Sequence, residues 1–100
     1  MTKKRLQFYI DGQWVDPVTP KSLPVINPSN EEVIGEISLG SKADVDKAVA
    51  AARRAFETFS VTSKEERVAL LEKILAIYQR RYAEFVETIS LEMGAPTWLS

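Results

Sequence analysis

The sequence predicts an α/β fold class, built as strands first and helices after. Three observations carry this. The first forty residues hold short, aromatic, β-prone runs cut by Asp11-Gly12 and by Pro17, Pro20, Pro24 and Pro28. The following residues repeat apolar side chains at helical spacing. Two Ser-led capping boxes, at Ser41 and Ser63, mark where helices begin.

The elements follow in order. The basic run Lys3-Lys4-Arg5 lacks the apolar stretch that a secretory signal needs after it, so residues 1–6 are expected to be a flexible, solvated basic tail. From Gln7 to Val15 the aromatic, β-prone run is split by Asp11-Gly12, the pair that supplies the positive φ angles of a type I′ turn, and a hairpin follows. Between Asp16 and Asn30 the four prolines remove ladder donors and leave room only for an edge segment around Val25 and Ile26; this stretch is expected to wrap over a neighbouring layer. Glu32 to Leu39 alternates imperfectly and reads as a strand ending at Gly40, apolar enough on both sides to want partial cover on both faces. Residues 7–40 thus form a β-rich unit.

Residues 41–100 read as three helices. Ser41 with Asp44 opens the first, and Val45, Ala48, Val49, Ala52, Ala55, Phe56 and Phe59 give it one apolar stripe, with Lys47, Arg53, Arg54 and Glu57 opposite. Ser63 with Glu66 opens the second, whose Val68, Leu71, Leu75 and Tyr78 are widened by Leu70, Ile74 and Ile77 into a stripe needing cover on two sides. A break near Arg80-Arg81 precedes a third, marked by Tyr82, Phe85, Val86, Ile89 and Met93 and stopped by Gly94. Its aromatic and Met side chains are expected to be core. Pro96 suits the first position of a new helix, of which Thr97, Trp98, Leu99 and Ser100 supply about one turn. The 100 residues therefore read as the opening part of a larger protein.

Composition narrows the function. A net charge of −1, with 45% hydrophobic and 27% charged residues, describes a soluble globular segment, and favours neither nucleic acid nor a membrane as partner. No uncharged run approaches the roughly 18 residues of a membrane span. A cytoplasmic location is the default expectation. With no Cys and no His there is no disulfide, thiol nucleophile, imidazole base or zinc site of the usual ligands. The glycines at 12, 35, 40 and 94 are too dispersed for a phosphate-binding loop. No catalytic and no coenzyme-binding residue is expected within the segment.

The ordered series Phe8-Tyr9-Ile10-Asp11-Gly12-Gln13-Trp14, Val25-Ile26-Asn27-Pro28, Glu32-Val33-Ile34, Ala43-Asp44-Val45-Asp46-Lys47-Ala48-Val49, Ala51-Ala52-Arg53, Glu66-Arg67 and Leu91-Glu92-Met93-Gly94 resembles the N-terminal segment of an NAD(P)-dependent aldehyde dehydrogenase. The resemblance implies strands and helices on the outside of a doubly wound coenzyme-binding domain that is incomplete here. It implies oxidation of an aldehyde to a carboxylate with NAD or NADP, through a Cys nucleophile and a Glu-activated water that both lie beyond Ser100. It also implies a homodimer or homotetramer as the complete protein. One departure stands out: Glu92-Met93-Gly94-Ala95-Pro96 occurs where many members have Glu-Thr-Gly-Lys-Pro, so a Thr hydroxyl and a Lys charge are missing. Two other readings use the same absences: a self-contained interaction module, and a degenerate paralogue that kept only the scaffold.

One binding site is expected inside the segment. Glu92 falls in the last turn of the third helix, where the macrodipole disfavours a carboxylate. Either it points into water, or something positive is near. Carbonyls of Val25 and Ile26, in a stretch where prolines remove ladder partners, would complete a set of hard oxygen ligands. In some aldehyde dehydrogenases a structural Na+ or K+ is held by a similar stretch and by an acidic side chain matching Glu92. The resemblance thus implies a metal site of Val25, Ile26 and Glu92.

Overall fold

The computed structural model describes residues 3–100. Strands β1 (Lys3–Arg5), β2 (Phe8–Ile10), β3 (Gln13–Val15), β4 (Ser22–Ile26) and β5 (Val33–Ser38) precede helices α1 (Lys42–Phe59), α2 (Lys64–Arg80) and α3 (Tyr82–Met93). β2 and β3 form an antiparallel hairpin. β1, β5 and β4, in that order, form a mixed sheet in which β1 runs parallel and β4 antiparallel to the central β5.

Local chemistry accounts for the hairpin. Asp11 at φ 56° and Gly12 at φ 75° are both left-handed, as a type I′ turn requires. Tyr9 and Trp14 sit opposite each other, their ring centroids 5.1 Å apart. The hairpin tip lies on α1, with Tyr9 and Ile10 facing Ala48, Ala51, Ala52 and Ala55 across a shallow groove. Alanines spaced one turn apart let the strand approach, and Arg54 reaches Asp11 at 3.2 Å.

Two strand expectations need correction. Residues 3–5 are not a flexible tail: they pair with β5, Lys3 opposite Gly35 and Arg5 opposite Ile37. The physical reason is Gly35, since a Cβ there would stand 2.6 Å from the Lys3 carbonyl oxygen. The Ser38 hydroxyl adds a hydrogen bond to the Leu6 carbonyl at 2.6 Å. Met1 and Thr2 lie outside the described residues. The proline-rich stretch also holds more strand than the edge segment expected around Val25 and Ile26. β4 runs through Pro24, which is tolerated because β4 is an edge of this sheet.

Both capping boxes form. Ser63 N–H donates to Glu66 at 3.0 Å while Glu66 N–H donates to the Ser63 hydroxyl at 3.1 Å. Asp44 does more. One carboxylate oxygen accepts the Ser41 N–H at 2.9 Å and its hydroxyl at 3.0 Å, and the other accepts the Val18 N–H at 2.9 Å. These bonds hold its carboxyl below the usual range, the Ser41 backbone first and the Val18 backbone second. α2 and α3 meet at Arg81, whose guanidinium is held by both oxygens of Glu84 at 2.9 and 3.1 Å. α3 ends at Gly94, left-handed at φ 72°.

The expectation that the helical stripes are core is not met within this segment. Ala51, 8% exposed, is the one buried apolar side chain among the described residues. On α1 the chain buries Ala51 and half-covers Ala48, and leaves Ala52, Ala55, Val45, Val49, Phe56 and Phe59 in the open. α2 buries nothing, and Tyr82, Phe85 and Met93 of α3 are exposed. No helix of the described residues is long and apolar enough to cross a membrane.

Two predictions follow from these contacts. Nothing stands within 4 Å of a Cβ placed on Gly12, so Gly12→Val meets only backbone strain and is expected to cost roughly 1 kcal/mol or more. Gly12→Asn, which tolerates the left-handed region, should melt close to wild type in denaturant titrations. For Asp44, the depressed folded pKa means that its stabilisation is fully present above the ordinary value of 3.8 and lost as pH falls through the lower folded value. Asp44→Asn is expected to lower the melting temperature at neutral pH, with the difference from wild type shrinking below about pH 4.

Candidate functional site

The site is framed by the mixed sheet and α3. The cross-strand row Lys3, Gly35 and Val25 and the neighbouring Arg5 and Ile37 lie on β1, β5 and β4. Between this sheet and α3 is an open cavity of about 450 Å³, whose lining includes Lys3, Arg5, Val25, Gly35, Glu87 and Glu92. Gly35 lets β1 form the wall that carries Lys3 and Arg5, because any larger residue would displace β1.

Of the three residues expected to hold a metal, the structure brings two together. Val25 and Glu92 line the cavity, whereas Ile26 does not. The premise of free carbonyls also changes: Val25 is in register with Gly35 and Ile26 with Val33, so both belong to the β4–β5 ladder. The ladder is irregular there, with a register shift between Val25 and Ile26. Among the described residues no group of three His, Cys, Asp or Glu side chains could hold a metal, so an ion here would rest on at most two carboxylates plus carbonyls.

The end of α3 is tied to the wrap by a direct contact. Asn27 accepts the Ser29 N–H on its side chain at 2.9 Å and the Glu31 N–H on its carbonyl at 2.7 Å, which builds a tight turn. That turn rests on Gly94, where a Cβ would come within 3.1 Å of Pro28 Cγ. The Ser90 hydroxyl closes the helix end on the Ala95 carbonyl at 2.8 Å. Sequence reasoning missed Lys3, Arg5 and Glu87 as cavity residues. The signal available for them was Gly35 within a strand pattern, which marks a close backbone approach.

The aldehyde dehydrogenase family model matches residues 14–100. The chain belongs to that family. It is 49% identical over 90 residues to the 3-succinoylsemialdehyde-pyridine dehydrogenase of a Pseudomonas species, covering 90% of this chain and 19% of the relative. The solved aldehyde dehydrogenase of Bartonella henselae superposes with a TM-score of 0.93 at 52% identity, over 95% of this chain and 20% of that one. A Mycobacterium tuberculosis aldehyde dehydrogenase, solved in complex with NAD+, superposes with a TM-score of 0.90 at 30% identity, over 97% of this chain and 20% of that one. The chain thus spans about a fifth of the length of the relatives it matches, and it matches their N-terminal part. The α/β class and the strand-then-helix order agree with that placement.

Proposed function

We propose that this segment is the N-terminal part of a cytoplasmic, homodimeric or homotetrameric aldehyde dehydrogenase that oxidises an aldehyde to a carboxylate with NAD or NADP. The observation carrying this reading is the superposition on the Bartonella henselae enzyme at 52% identity over 95% of this chain. Further support comes from a Pseudomonas syringae aldehyde dehydrogenase, 48% identical with a TM-score of 0.89 over 91% of this chain, which was solved with NAD+ and octanal. When bound, the coenzyme supplies the hydride acceptor; these residues supply no group to that step. They lack thiol and imidazole, and their part is to frame the coenzyme-binding domain from outside. The packing speaks against a self-contained interaction module. An accessible surface of 8341 Å² compares with roughly 5,700 Å² for a compact monomer of this mass.

Aldehyde-dependent NAD(P)H production is the test. The complete polypeptide is expected to turn over and residues 1–100 alone to be silent. Turnover by the isolated segment, or none by the complete polypeptide with either coenzyme across short and long aldehydes, counts against the proposal.

A structural Na+ or K+ at Val25, Ile26 and Glu92 remains part of the proposal. It is favoured by one observation, that Val25 and Glu92 line the same cavity beside the ladder irregularity at Ile26. Such an ion would brace the wrap against the end of α3 and would activate no water. Lys3 and Arg5 in the same lining would keep its binding weak. The complete polypeptide is expected to melt higher in K+ or Na+ than in a bulky organic cation, and Glu92→Gln should lose that gain. Equal melting in all three salts would remove the site.

A further inference from the structure

β1 is a strand with no apolar side chain. All three residues are charged and exposed, so burial cannot hold them. A three-residue strand on a sheet edge is marginal on backbone pairing alone. Beyond the close approach at Gly35 and the Ser38 to Leu6 hydrogen bond, the charged groups beside β1 are acidic, set among the apolar Val25, Ile34, Ile37 and Leu91. Lys4 lies in register with Glu36, its ammonium 4.0 Å from the carboxylate. Lys3 and Arg5 share the cavity lining with Glu87 and Glu92 of α3. One turn earlier on the same helix, Glu84 has its carboxyl held below the usual range, chiefly by its hydrogen bond to Arg81 and in smaller part by Lys3. Alternation along the strand puts Lys3 and Arg5 on one face and Lys4 on the other.

We propose that β1 is an electrostatic strap. Its Lys3 and Arg5 close one wall of the cavity against the acidic side of α3, and it releases from β5 as ionic strength rises. Exposed charges across an open cavity are screened within about 8 Å at physiological salt and about 3 Å at 1 M, so the grip weakens over an accessible range. The backbone pairing that remains is too short to hold by itself. Release leaves β5 with an unpaired edge and removes the basic wall of the cavity.

Hydrogen exchange of the β1 and β5 amides in the complete polypeptide tests this. Tetramethylammonium chloride serves as the salt, so that no alkali ion enters at Glu92 and a failure of the cation proposal stays separate. Raising it from low concentration to 1 M is expected to speed exchange in β1 and β5 roughly fivefold, while the β2–β3 hairpin amides serve as the internal reference. The double variant Lys3→Gln with Arg5→Gln should exchange faster already at low salt and respond little to added salt. Glu87→Lys with Glu92→Lys should loosen β1, and adding Lys3→Glu and Arg5→Glu to that pair should restore protection. The strap is overturned if wild-type exchange ignores salt, or if the double glutamine variant keeps wild-type protection and salt response. It is also overturned if the fourfold reversal exchanges no slower than Glu87→Lys with Glu92→Lys.

Discussion

One carboxylate joins the strand-rich and helical halves of this segment where the wrap crosses α1. Asp44, 5% exposed, accepts from Ser41 at the start of α1 and from Val18 in the proline-rich wrap. A buried charge is costly unless its acceptor positions are filled, and here they are filled by two backbone N–H groups and a hydroxyl. The N-terminal end of α1 adds its positive dipole. No buried side-chain polar atom among the described residues lacks a partner. Between the end of β3 and the start of β4 the wrap has little ladder to hold it, so the Val18 bond fixes where the chain crosses the helix and where β4 can begin.

The rest of the segment is organised by what it does not cover. Its radius of gyration is 17.3 Å, against roughly 13 Å for a compact domain of this length. Three long helices with apolar sides are held in place by a hairpin, a three-stranded sheet and a short interhelical contact in which Tyr78 meets Tyr82 edge to face and Phe85 at a tilt. Burying those sides is worth about 25 cal/mol for each Å² of apolar surface, the largest favourable term in folding, and here most of it is left unused. That pattern belongs to a part of a larger packed body, consistent with relatives about five times as long.

Local signals in the sequence were enough for every element whose stability is local. The Asp11-Gly12 turn, the Ser41 and Ser63 caps and the Gly94 stop depend on neighbours in the chain, and each is legible from residue type and spacing. What could not be read there was long-range. Lys3-Lys4-Arg5 has no β propensity to speak of, and its strand exists because Gly35 admits a second backbone. The hairpin meets α1 at Ala51, and not at the larger Val and Phe side chains that dominate its apolar pattern. In the candidate site, Val25 and Glu92 were foreseeable from resemblance. Their basic neighbours arrive through parallel pairing, which no short window records.

The parallel pairing of β1 with β5 also sets an order of assembly. The hairpin and the capped helix starts can form as soon as they are synthesised, because their partners are adjacent in the chain. β1 is made before all of them, yet its partner leaves the ribosome only after the hairpin, the wrap and β4 have been made. Contacts of such separation carry a loop-closure cost that must be met before they give anything back. Lys3-Lys4-Arg5 are therefore held in waiting, and whatever lies ahead of Lys3 is carried to the edge of the sheet when they finally dock.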